Sequence, residues 1–151
     1  MPKKIKKSNV ASEPKQMTLT LHPCDWVLLH IAGTGTMSID WGDGTPCETH
    51  PLLAPVLYWT HDCGGYDFRH RYHDFSTRII TITGENVTHM ETEFGILASI
   101  DVSHNTALMG LGCGRNELTN LDVSKNTALE YLNCDDTHFT FVTKIKEYGQ
   151  I

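Results

Sequence analysis

The side chains that could do chemistry are concentrated in one stretch. Cys47, His50, His61, Cys63, His70 and His73 fall between positions 47 and 74, with Asp62 and Asp74 beside them. Thiolate and imidazole groups at close range are zinc donors, and a Cys–His or metal-bound pair is also the core of many hydrolases. The spacing does not favour either use. Cys47-x-x-His50 followed by His61-x-Cys63 is not a usual zinc-finger arrangement. A bridge between Cys47 and Cys63, stapling the segment between them, is the other special reading. The favoured reading is that these residues carry no special chemistry, with a metal-binding protein or hydrolase using the 47–74 cluster as the alternative.

Other sites are weaker. Asp40 and Asp43 suggest a calcium loop, but calcium takes six to eight oxygens and the EF-hand spacing of acids is missing. A Gly42-Asp43-Gly44 turn accounts for them without a metal. No Gly-x-Ser-x-Gly, His-Glu-x-x-His or phosphate-loop motif is present, and Gly33-Thr-Gly35 reads as a turn. No enzyme activity, catalytic residue, metal or cofactor is therefore expected. Five cysteines, an odd number with no Cys-x-x-Cys, do not form a complete disulfide framework.

The elements that position these groups are set by a chain of 151 residues, enough for one domain or two very small ones. A hydrophobic fraction of 40% and a charged fraction of 20% suit a soluble domain with a core. No stretch approaches the roughly 18 apolar residues of a membrane helix. The first fifteen residues hold five Lys and one Glu, which leaves seven basic and 17 acidic side chains in the rest, a net charge of −10. So acidic a body repels phosphate backbones, and no nucleic-acid partner is expected. Residues 1–16 have no apolar core of a secretory signal and read as a flexible basic lead-in. A monomer is expected.

One internal repeat is plain. Ile100-Asp-Val-Ser-His-Asn-Thr-Ala-Leu108 returns as Leu121-Asp-Val-Ser-Lys-Asn-Thr-Ala-Leu129, and Leu111-Gly-Cys113 returns as Leu132-Asn-Cys134, each pair 21 residues apart. Each copy divides into halves, Leu97-x-x-Ile100-x-Val102-x-x-Asn105-x-x-Leu108 and then Leu108-x-x-Leu111-x-Cys113-x-x-Asn116-x-Leu118. The physical reading is a coil of short strands. Apolar side chains alternate inward, and Asn side chains bond to backbone groups at the turns. Stacked coils then share one apolar column. Cys113 and Cys134 would occupy matching inward slots as two small buried thiols. This segment resembles the short bacterial leucine-rich repeats over about residues 97–142. Thr137 and Phe139, standing where Asn116 and Leu118 stood, suggest a closing coil. The spacing of Val142, Ile145 and Tyr148 predicts a short capping helix.

Upstream, Thr18–Leu21, Trp26–Ile31, Met37–Trp41, Phe68–Tyr72 and Arg78–Thr83 alternate as strands, with Gly33–Gly35 and Gly42–Gly44 as turns. They read as a small antiparallel β-sandwich. Ile39-Asp-Trp-Gly-Asp-Gly-Thr45, His70-x-Tyr72 and Ile80-Thr-Ile-Thr-Gly84 together resemble the polycystic-kidney-disease (PKD) type of immunoglobulin-like domain over about residues 17–84. That resemblance places His70 and Tyr72 on one strand face and leaves a long insertion at 46–67. The insertion carries Leu52-Leu-Ala-Pro-Val-Leu-Tyr58-Trp59, which either folds back as extra core or forms an aromatic contact surface.

The expected fold is mainly β. It comprises a flexible basic segment at 1–16, a PKD-like sandwich at 17–90, and a leucine-rich coil of about two turns with a cap at 91–151. Val87 and Met90 lead from one into the other as one rigid unit. The resemblances imply a non-catalytic binding or structural module of a bacterial surface or secreted protein, with a protein or glycan ligand. The residues placed in its binding surface are Tyr58, Trp59 and Tyr66 of the insertion, and Arg115, Asn133 and Asp135 on the outer face of the coil.

Overall fold

The computed structural model describes residues 15–55, 66–92, 95–135 and 141–143. The protein is mainly β, and no helix occurs among the described residues. Two five-stranded sheets carry the architecture. The strands are β1 (Gln16–Leu21), β2 (Trp26–Gly33), β3 (Thr36–Asp40), β4 (Glu48–Pro51), β5 (Tyr66–Arg71), β6 (Arg78–Gly84), β7 (Val87–Glu91), β8 (Leu97–Asp101), β9 (Gly110–Gly112), β10 (Asn120–Asp122), β11 (Tyr131–Asn133) and β12 (Phe141–Thr143). The first sheet has the order β4-β3-β6-β1-β8, the second β11-β9-β7-β2-β5, and β10 pairs with β12.

Alternation builds the layers, because successive side chains on a strand point to opposite faces. Met17, Leu19 and Leu21 of β1 are buried while Thr18 and Thr20 are half-buried on the other face. Leu19 sits opposite Ile80 of β6, and Val27, Leu29 and Ile31 of β2 supply the facing layer. Together with Ile39, Trp41, Leu97, Leu111 and Leu121 they form one contiguous core from Met17 to Leu129. Fully burying a large aliphatic side chain is worth about 1.5–3 kcal/mol, so this shared core binds the upstream strands to the repeats.

The connectivity explains how. From β5 onward the chain crosses between the layers at every step, with β5, β7, β9 and β11 in the second sheet and β6 and β8 in the first. β1 is antiparallel to both of its neighbours, β6 and β8, and β2 is antiparallel to both of its neighbours, β5 and β7. The winding path thus runs through the whole body, and the first two strands are slotted into it, one per sheet.

Strand β3 is antiparallel to β4 and β6, whereas the strands from β7 onward pair with one another in parallel and in register at 21 residues. Met90 lies opposite Leu111, Leu111 opposite Leu132, and Leu121 opposite Val142. The stack therefore starts one half-turn earlier than the sequence identities indicate, because Val87, Met90 and Thr92 occupy the slots of Leu108, Leu111 and Cys113. The turns repeat as well. Asn105 N donates to Val102 O and Asn126 N to Val123 O, both at 3.0 Å. Asp101 and Asp122 each accept from the backbone N–H of the serine two residues on. Buried Asn126 then ties one turn to the next, its Nδ2 donating to Val102 O at 2.9 Å and Asn105 O at 2.8 Å.

One open region is now described and one expectation changes. The 46–67 segment begins with an edge strand, β4, paired with β3 from Thr36–Pro51 to Ile39–Glu48. The helix expected over Val142–Tyr148 starts instead in strand β12, and its remainder lies outside the described residues.

Candidate functional site

The reactive side chains gather where the two layers meet at the β3–β4 turn. Gly42 and Gly44 adopt φ of +74° and +83°, a region that costs other L-residues energy, and so fold the turn back on itself. Asp43 between them has one carboxylate oxygen accepting from Thr45 N and Oγ1 at 3.0 and 2.6 Å. Its other oxygen contacts Nε2 of His70 at 2.8 Å. His70 comes from β5 in the opposite sheet and points inward, as alternation with buried Phe68 and Tyr72 requires. Its ring stacks on Trp41 with centroids 4.7 Å apart and planes 11° from parallel. The Tyr72 hydroxyl donates to the Trp41 carbonyl at 3.0 Å. Trp41 Nε1 donates to Glu48 Oε1 at 2.9 Å, and the other Glu48 oxygen contacts His50 Nε2 at 2.9 Å.

This network joins the sheets through rings and charge-assisted hydrogen bonds. Hydrogen bonds from Thr45 and His70 outweigh burial and hold the Asp43 carboxyl well below its ordinary value. Those from His50 and Trp41 lower Glu48. Burial pushes the Tyr72 phenol well above its usual range. All three shifts keep these groups in one charge state through neutral pH, which is the behaviour of a fixed scaffold.

Among the described residues the candidate metal ligands do not converge on one point. His50 and His70 contact different carboxylates, Cys47 is an exposed free thiol and His73 is exposed. His61, Asp62 and Cys63 lie outside the described residues. Among the described residues no group of three or more His, Cys, Asp or Glu could hold a metal ion. Cys113 is a buried thiol pushed up to about 12 by burial, and the thiol of half-buried Cys134 is also raised by burial.

The other expected site is the outer face of the second sheet. Alternation puts His89 and Glu91 of β7, Gly110 and Gly112 of β9, and Tyr131 and Asn133 of β11 on that face, in register. The glycines do not form an open trough. A Cβ on Gly110 would meet His89 Cδ2 at 2.4 Å, and one on Gly112 would meet Glu91 Cγ at 2.7 Å. Both glycines are buried under these side chains.

The open part of the face lies at the β11 end. Arg115, with φ of +55°, donates its backbone N–H to Asp135 O at 2.7 Å, and Asp135 N donates to Asn133 Oδ1 at 3.1 Å. Arg115, Asn133 and Asp135 are thus brought together, with Arg115 and Asp135 exposed. Tyr131, exposed beside them, is a member that sequence reasoning missed. The 21-residue step from His89 through Gly110 was the signal that could have found it. Tyr66 opens β5 at the far edge of the same sheet, four strands away, or about 19 Å at the usual strand spacing. Tyr58 and Trp59 lie outside the described residues. The β11 group and Tyr66 are therefore separate places.

No helix of the described residues is long and apolar enough to cross a membrane. No family model, curated protein or solved structure matches this chain.

Proposed function

We propose that this chain is a non-catalytic binding module of a bacterial surface or secreted protein. In this reading a PKD-like sandwich at 17–90 continues into a short leucine-rich coil at 91–151, after a basic lead-in at 1–16. The observation that supports it is the in-register stacking at 21 residues along β7–β9–β11, with Arg115, Asn133, Asp135 and Tyr131 on hydrogen-bonded backbone at the β11 end. A guanidinium, a carboxylate, an amide and a phenol on such a base suit a polar partner, protein or glycan. The reactive groups elsewhere support the same reading, since Asp43, Glu48, His50 and His70 are engaged with one another.

Screening the intact chain against arrays of glycans and of extracellular proteins tests this. Ligand binding that falls at least tenfold in an Arg115→Ala/Asp135→Ala variant with unchanged melting is the expected result. Binding lost only with Trp59→Ala would move the site to the aromatic insertion. Stoichiometric zinc surviving dialysis, with no ligand on either array, would overturn the binding reading.

A further inference from the structure

The 21-residue stack brings two thiols side by side where β9 and β11 end. Gly112 lies opposite Asn133, and the ladder runs on past the strands, with Cys113 N donating to Asn133 O at 2.8 Å and Arg115 N to Asp135 O at 2.7 Å. In a parallel pair such bonds set Cys113 directly opposite Cys134. Both side chains take the inward face, two residues on from Leu111 and Leu132. Cys113 is fully buried in the core, and half-buried Cys134 packs against that core. The two groups feel each other, because Cys134 adds to the burial that raises the Cys113 thiol. Cys24 lies elsewhere, near Tyr72 and Arg78, and exposed Cys47 immediately precedes β4. Neighbouring strands lie about 4.8 Å apart, within the roughly 4.4–6.8 Å between Cα atoms that a disulfide spans.

We propose that Cys113 and Cys134 are a cross-linking site, joined in oxidising surroundings by a disulfide that staples β11 to β9 beside Arg115, Asn133 and Asp135. The inference stands apart from the binding reading, since it needs a disulfide oxidant and no ligand. Cys134, the more accessible thiol, reacts first. Its thiolate attacks one sulfur of a small-molecule or protein disulfide, forming a mixed disulfide and expelling one thiolate, which takes up a proton. Cys113 then gives its proton to solvent, and its sulfur attacks Cys134 Sγ and releases the second thiol. Two protein thiols are oxidised and one disulfide is reduced to two thiols. β11 ends its sheet, with β9 as its described neighbour, so it can close the last fraction of an ångström that brings the Cβ atoms to roughly 3.5–4.5 Å. Burial raises both thiols, and a thiolate of raised pKa leaves slowly, so the bridge once formed is slow to reduce.

The test uses the intact folded chain, as wild type and with Cys47→Ser and Cys63→Ser to limit competing exchange. Each protein is incubated with glutathione disulfide, its remaining thiols are alkylated, and it is digested with trypsin. Cleavage after Arg78, Arg115, Lys125 and Lys144 places Cys113 in the peptide 79–115 and Cys134 in the peptide 126–144, each with no other cysteine. The expected result is these two peptides joined, lighter by two hydrogens than their sum and separated by reductant. Recovery of the two peptides unjoined, alkylated or carrying glutathione, overturns the proposal. Amide exchange of Arg115, whose N–H bonds to Asp135 O, reads the staple itself. Exchange about tenfold slower in the oxidised protein, restored by reduction and absent in Cys134→Ser, is expected, because the bridge suppresses local opening of β11 from β9. Unchanged exchange after the peptides are shown to be joined overturns the stapling role.

Discussion

Two glycines in the same turn offer a controlled perturbation. Gly42 and Gly44 both have positive φ, so Ala at either position costs about 1–2 kcal/mol for the left-handed backbone alone. Their surroundings differ. A Cβ on Gly44 meets nothing within 4 Å, whereas one on Gly42 falls 2.3 Å from the Ile79 carbonyl oxygen of β6. That oxygen is backbone within the first sheet, so relief needs a shift of the turn or the strand. Overpacking of this kind adds about 1–3 kcal/mol. Gly44→Ala should therefore destabilise by about 1–2 kcal/mol and Gly42→Ala by about 2–5 kcal/mol. Urea unfolding measures both. With a slope of about 2 kcal/mol per molar, the midpoints should fall by about 0.5–1 M and about 1–2.5 M respectively. Equal shifts, or a larger one for Gly44→Ala, would refute the placement of this turn against β6.

Other substitutions probe the repeats and the acid limb. Asn116 is buried, donates to Thr92 O, Cys113 O and Gly114 O, and accepts from Leu97 N. Asn116→Ala orphans several of these groups at about 1–3 kcal/mol each, so a loss of about 3 kcal/mol or more by chemical denaturation is expected. Leu111→Ala at the centre of the stack should cost about 2–5 kcal/mol, whereas Ile79→Ala, 57% exposed, should stay within about 0.5 kcal/mol in the same assay. Asp43 and Glu48 titrate lower in the folded protein than in the unfolded chain, so the unfolded state binds more protons below about pH 4.5. Their stabilisation is complete above that range and is lost as pH falls through it, and a pH series of melting curves should show a shallower acid limb for Asp43→Asn. For His89, also depressed, the loss begins nearer pH 6.5, and His89→Gln should remove it from the same series.

Much of this body is legible before folding is considered. Strands β1, β2, β3, β5 and β6 announce themselves because each has a wet face and a dry face, and Asp43-Gly44 marks a turn by its tolerance of positive φ. β4 gives no such signal. Glu48-Thr-His-Pro51 is an edge strand, largely exposed, with proline at its end, so no apolar rhythm is needed to seat it. The early half-turn at β7 escapes notice because Met90 and Thr92 fill slots that later hold Leu and Cys. Shape and burial are conserved there while residue identity is not. The His70–Asp43 contact spans 27 positions and depends on which layer each strand joins. Only the crossing path of the chain reveals that, just as it separates Tyr66 from the β11 group.

The claim on which the fold, the exposed face and the proposed role all depend is the parallel register of residues 21 apart. Nuclear Overhauser contacts between backbone protons measure it directly. The amide of Cys113, which donates to Asn133 O, should show contacts to the backbone of β11, and Leu111 should contact both Met90 and Leu132. The same set should link Leu121 to Val142. Contacts at any other offset, or an antiparallel pattern between β9 and β11, would contradict the account.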